Sequence, residues 1–145
     1  MTDLVTQRNI GALVALVTVL PPESSGGGTI NGTTIDRFLH GLANCCVLHQ
    51  MLGIVSGAPA TVSVQTALHH SPDGQIWSPF QINGTTQQTA ALTAANTDGT
   101  VPIDLTAASR FIRPVTTVAL TGGASPAALV AADLVLSGER ALPAV

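Results

Sequence analysis

The stretch NCCVLHQMLGIVSG, residues 44–57, decides the fold class. Read with a period of two, it sets Cys45, Val47, His49 and Met51 on one side of an extended chain and Cys46, Leu48, Gln50 and Leu52 on the other. Both sides are largely apolar, as a strand in the middle of a sheet requires, and the glycines from Gly53 to Gly57 close it.

The neighbouring segments repeat the pattern. ATVSVQTALHH, residues 60–70, alternates with Val62, Val64, Thr66 and Leu68 inward and Ser63, Gln65 and His69 outward. HHSPDGQIWSPF, residues 69–80, then turns the chain: Pro72 fixes the entry, and Gly74 after Asp73 supplies the positive φ that a tight turn demands. Ser71, Asp73, Gly74 and Trp77 therefore form a hairpin tip, with IWSPFQI, residues 76–82, as the returning strand. Trp77, the chain's single tryptophan, is expected to cover the apolar side of this hairpin and fill the core rather than stack on a ligand. SRFIRPVTTVALTGG (109–123) and PAALVAADLVLSG (126–138) read as a last pair of long strands joined by a Gly-Gly-Ala-Ser-Pro turn. No segment holds a helical period, so the expected fold is all-β, an antiparallel, jelly-roll-like β-sandwich.

Toward the N-terminus, IGALVALVTVLPP (10–22) is shorter than the roughly 20 residues a membrane-spanning helix needs. It lacks the basic start and small-residue cleavage site of a signal peptide and reads as a first strand stopped by Pro21 and Pro22. PPESSGGGTINGTT (21–34) follows as a loose loop. This order divides the chain into 1–29, an extended N-terminal arm or first strand plus a Gly-rich loop; 30–138, the sandwich; and 139–145, a tail. As an arm, the first segment would offer Val14, Leu16 and Val19 as contacts to another subunit. INGTT occurs twice, at 30–34 and 82–86, as turn chemistry rather than a duplication.

Composition narrows the function. Only 9% of the 145 residues are charged, against about 25% in typical soluble domains. A surface with so little charge is expected to be covered by neighbouring subunits, making the chain a homo-oligomer. There is no lysine, the five basic residues are all arginine, and the formal charge is -3, so no basic stripe is present to bind nucleic acid. No phosphate loop, dinucleotide fingerprint or metal-binding helix motif occurs, and no membrane partner is implied.

Reactive residue types are present without a convincing constellation. His40, Cys45, Cys46 and His49 are metal-ligand types within ten positions, but adjacent strand residues point to opposite faces, so Cys45 and Cys46 are expected to be free thiols without metal or cofactor. Ser71, His70 and Asp73 imitate a catalytic triad only on paper, because residues closing a turn rarely aim at one another. No enzymatic activity is expected. Asp133 interrupts an apolar strand and reads as solvent-facing; its functional alternative is an inter-subunit partner for Arg110 or Arg113.

LHHSPDGQIWSPF resembles the "LQHSDDGxxW" hairpin of small β-sandwich structural proteins of tailed bacteriophages. NGTTIDRFLHGLANCCVLHQMLGIVSG resembles their segment in which an Asp precedes a strand ending in Gly, and SRFIRPVTTVALTGGASPAALVAADLVLSG their closing strands. The resemblance spans residues 30–138 and departs from the pattern at Pro72 and at the Cys45-Cys46 and His69-His70 pairs. It implies a virion protein, made in the host cytoplasm and carried on the capsid exterior. There it would act as a decoration or cement protein that binds the major capsid protein, with a trimer as the favoured assembly. The alternative is a receptor- or glycan-binding module of a fibre or tail accessory, using His69, His70 and Trp77.

Overall fold

The structure, a computed structural model, describes residues 14–138; the segment 1–13 and the expected tail 139–145 lie outside the described residues. The strands are β1 Ala15–Ser25, β2 Gly28–Asn31, β3 Ile35–Asp36, β4 Cys45–Ser56, β5 Thr61–Ser71 and β6 Ser78–Pro79, followed by β7 Gln81–Ile82, β8 Thr85–Thr86, β9 Thr97–Asp104, β10 Phe111–Thr121 and β11 Ala127–Ser137. One 3-10 turn, Arg37–His40, interrupts them. The strands form two antiparallel sheets, the first in the order β1-β11-β4-β9 and the second in the order β2-β10-β5-β6, with β3 also on β10. The chain is an all-β sandwich, as the alternation of residues 44–70 requires.

The inner faces follow from that alternation. Cys46, Leu48, Gln50 and Leu52 of β4 are buried, while Cys45, Val47, His49 and Met51 face outward. Leu48, Leu134 and Leu136 of the first sheet meet Val64, Leu68 and Ile112 of the second in one core. Polar side chains inside it are tied to backbone or to each other, as burial demands. Gln50 crosses between the sheets, its Nε2 donating to Val64 O at 3.3 Å and Ala90 O at 2.8 Å. Thr66 and Thr116, opposite one another on β5 and β10, join their hydroxyls at 2.8 Å.

Of the two readings of residues 1–29, arm or first strand, the described residues 15–20 follow the second, as part of the sandwich. β1 pairs with β11 from Ala15 opposite Leu136 to Ser25 opposite Ala128, and Val19 and Leu20 are buried in the common core. Val14 is half-buried and Leu16 exposed. Pro21 and Pro22 do not stop the strand. They lie within β1 at a register shift between Leu20 and Glu23, on an edge strand where a missing N–H leaves no ladder bond unmade. The Gly-rich stretch is a tight link into β2, and Gly32 beyond it admits no side chain: a Cβ there would lie 2.5 Å from the Pro114 ring.

Three further features differ from expectation. β10 and β11 are consecutive but belong to different sheets, so Gly122–Pro126 arches across the sandwich instead of closing a hairpin. Alternation assigns faces and leaves the partner open. The return from the hairpin tip is broken into β6, β7 and β8 rather than one strand, and residues beyond it continue along β5 through isolated bridges at Ala67–Gln88 and Val64–Leu92. β9, containing Gly99 and Pro102, forms the other edge of the first sheet opposite β4.

Candidate interaction surface

The hairpin tip is a closed hydrogen-bonded unit. Ser71 is fully buried, and its Oγ accepts from Gly74 N–H at 2.8 Å while donating to Asp73 Oδ1 at 2.9 Å. The same Asp73 oxygen accepts the N–H groups of Gln75 and Ile76 at 2.8 and 3.0 Å. These backbone donors, joined by the Ser71 hydroxyl, hold the Asp73 carboxyl below the usual carboxylate range. Gly74, at φ 76°, sits over the Phe111 ring. Ser71 Oγ and Asp73 Oδ1 are thus engaged in the turn itself, and His70 turns away from Ser71 to accept the Ser109 N–H through Nδ1 at 3.1 Å.

Trp77 is half-buried and lies outside the core; the aromatic filling the core is Phe80, with 1% exposure. Trp77 Nε1–H donates to Gly74 O at 3.2 Å, and the Arg113 guanidinium lies over its ring, 4.2 Å from the centroid. Trp77 thus braces the turn from the outer face of the second sheet rather than filling the core. Burial pushes the His69 imidazole below its ordinary pKa, helped by the charges of Arg113 and His70, and burial does the same at His70.

Arg110 is committed within the chain. Its Nε and Nη2 reach Asp36 at 2.9 and 2.7 Å, and its guanidinium is stacked over Phe38 at 4.4 Å and Phe111 at 4.9 Å. The Arg110 hydrogen bond is the main reason the Asp36 carboxyl titrates below its ordinary range. Around this pair Phe38, Leu39 and Ile76 are exposed, Leu39 by 80%. The three side chains escaped the sequence reading because a 3-10 turn and a hairpin tip carry no periodic signal.

The outer face of the first sheet has a different character. Asp133 points outward as expected, but its neighbour within the chain is a histidine: His49 Nδ1 lies 3.9 Å from Asp133 Oδ2, and His49 Nε2 lies 2.8 Å from Asp98 Oδ2. Arg110 and Arg113 belong to the other sheet. Asp98 was missed because β9 was not recognised, although Val101 and Ile103 alternate there with Thr100, Pro102 and Asp104. Shallow apolar grooves lie on this face, one lined by Pro22, Met51, Gly53 and Leu129, another by Val47, Pro102 and Ser137.

The cysteines divide as adjacent strand positions must. Cys45 Sγ lies 3.0 Å from Ser137 Oγ on the outer face, whereas Cys46 is in the core, where burial pushes its thiol up to about 12. Among the described residues no group of three or more His, Cys, Asp or Glu is placed to hold a metal ion, and no helix is long and apolar enough to cross a membrane.

The fold and its faces define an antiparallel β-sandwich with exposed apolar side chains on both outer surfaces. No protein-family model and no curated protein matches the sequence. Among solved structures, the chain is similar to the SPBc2 prophage-derived protein YomS, at 13% identity and a TM-score of 0.44 over 86% of this chain and 93% of that one. It is also similar to chains in structures of infectious bursal disease virus. The Gx strain matches at 12% identity and a TM-score of 0.44, the Gt strain at 16% and 0.42, each over 89% of this chain. This chain spans about a third of the length of those viral chains, 33% and 34%. The strand ladders, rather than these likenesses, define the sandwich.

Proposed function

We propose that the chain is a non-enzymatic structural protein of a tailed-bacteriophage virion, most specifically a capsid decoration or cement protein. In this reading it sits on the exterior of the head and binds the major capsid protein across joints between subunits. The observation that carries the proposal is the hairpin LHHSPDGQIWSPF, whose sequence resembles that of small phage β-sandwich proteins and whose Ser71 and Asp73 hold the turn itself. Two outer faces with exposed Ile54, Leu129, Ile76 and Leu39, on a chain that is 9% charged, support a role performed by surfaces.

The mechanism follows from burial. A sandwich laid over a joint resists outward pressure by removing apolar area from water on both sides of the boundary, so separating the subunits must re-expose it. No proton transfer or bound cofactor is required. A glycan-binding head would instead need an open aromatic face, and one face of Trp77 is covered by Arg113.

Mass spectrometry and cryo-EM of intact particles test the reading. The expected result is high copy number at repeated positions on the capsid exterior. Absence from the particle, or a few copies confined to tail fibres, would overturn it in favour of the binding module.

A further inference from the structure

The exposed charges of the sandwich are divided between its two sheets. The strands of the first sheet carry Glu23, Asp98, Asp104 and Asp133 and no arginine. Among the described residues the arginines are Arg37, Arg110 and Arg113, all on or beside the strands of the second sheet. Arg37 is buried and donates to the carbonyls of Ala43, Ala108 and Ser109, and Arg110 is bound to Asp36. Arg113 forms no ion pair among the described residues. Its guanidinium lies on Trp77, and its Nε is buried with no hydrogen-bond partner.

The second sheet has carboxylates too, but Asp36 is bound to Arg110 and Asp73 Oδ1 to its own turn, so the charges left over are Arg113 there and Asp98 and Asp133 on the first sheet. On the second sheet, an aromatic-backed cation without a carboxylate lies on Trp77, next to exposed Ile76 in the same hairpin. On the first, Asp98 and Asp133 flank His49, with the Asp98 side chain 68% exposed, beside the apolar groove at Met51 and Leu129. Stacked arginine, tryptophan and exposed apolar side chains form the kind of anchor that dominates protein interfaces. Joining like faces of two copies brings together two surfaces with the same unpaired sign of charge. Joining unlike faces sets cation against carboxylate and apolar groove against apolar anchor.

We propose that the outer face of the second sheet, centred on Arg113 and Trp77, docks on the outer face of the first sheet, around Asp98, Asp133 and Leu129, of a second copy of this chain. The contact is heterologous: each copy keeps one face of each kind unused. Association therefore passes beyond a dimer, to a ring where the rotation closes and to an open stack where it does not. The inference goes beyond the virion reading and does not depend on it, because the purified chain carries both faces.

The test uses light scattering and sedimentation of the full chain at micromolar concentration, with thermal melting to verify folding of each variant. The wild type is expected to form species larger than a dimer. Arg113→Glu blocks one face and Leu129→Glu the other, and each variant alone is expected to be monomeric. Mixed in equal amounts they should give a dimer and nothing larger, because one intact face of each kind remains and the two blocked faces are both acidic. Ile76→Glu, at a fully solvated tip, replaces Arg113→Glu if that variant does not fold. A monomeric wild type would overturn the proposal, as would a mixture that stays monomeric. So would a Leu129→Glu variant that keeps the wild-type mass while the Arg113→Glu or Ile76→Glu variant loses it, which would mark a self-complementary contact through the second sheet. Particle imaging is a separate readout, so failure here leaves the virion reading standing and failure there leaves this contact standing.

Discussion

The first sheet is laddered out to both of its edges, whereas the second has one long ladder, β5 with β10, and edges tied largely by side chains. β1, β11, β4 and β9 run as long ladders with at most two register shifts, and their outward side chains make few contacts, chiefly His49 with Asp98 and Cys45 with Ser137. On the second sheet the ladder beyond β5 shrinks to His69 and His70, and the chain there is tied by Ser71 and Asp73, by Arg110 on Asp36, and by Arg37 on three carbonyls. Long ladders tolerate an exposed, variable outer face because register is already fixed. A sheet stitched by specific side chains has its outer groups committed in advance, and Arg113 stands out there because it is not.

The largest expected effect tests the ladder half of this comparison. Deleting residues up to Leu20 strips the partner strand from β11 and removes buried Val19 and Leu20, so the cooperative melting transition should be lost. A truncated chain that melts like the full one would show that β1 is a dispensable arm after all. Next, Leu134→Ala in the first sheet and Leu68→Ala in the second each remove a fully buried side chain. Denaturant titration should show a loss of about 2–5 kcal/mol for each, since core cavities cost the same whichever sheet frames them. A marked inequality between them would mean the sheets do not share one core.

A smaller effect isolates the side-chain half. Ser71→Ala leaves the buried Gly74 N–H and one Asp73 oxygen without their partner and should cost about 1–2 kcal/mol. Smaller still is a dependence on pH. His69 and His70 have pKa values below 6.5 in the folded chain, so the unfolded state binds more protons between the folded values and 6.5. Stability contributed by these groups is present above that window and is lost as pH falls through it. The melting temperature should decline on acidification from pH about 7 toward about 5, the decline shrinking when both histidines are replaced by glutamine. A melting temperature that rises over this range would contradict the assignment.

What could be read from the sequence was the facing of strands. Residues 44–70 gave both faces of β4 and most of β5 correctly, because a period of two is a local property. Asn83-Gly84 also behaved as its chemistry demands, with φ values of 51° and 77° joining β7 to β8. Pairing was less legible. The link Gly122–Pro126 suits a hairpin and an inter-sheet arch equally well, and only the competition for partners across the whole fold selects the arch. Pro21 and Pro22 cut the reading of β1 short, and Pro102 lies within the unrecognised β9, since edges tolerate the residues that interiors reject. Of the interaction surface, Asp133 was visible as an odd charge in an apolar strand, and Arg113 as a candidate partner for it beside Arg110. Asp98, Phe38 and Ile76 were not, because their importance comes from which neighbours the fold brings beside them.

The central claim is that the protein works by strengthening a capsid through its surfaces, and the most direct measurement is the temperature at which particles release their DNA, with and without the chain bound. Particles lacking the protein, reloaded with purified chain to saturation, should hold their DNA to a higher temperature than unloaded ones, and the gain should scale with occupancy. Full occupancy with an unchanged release temperature would contradict the claim.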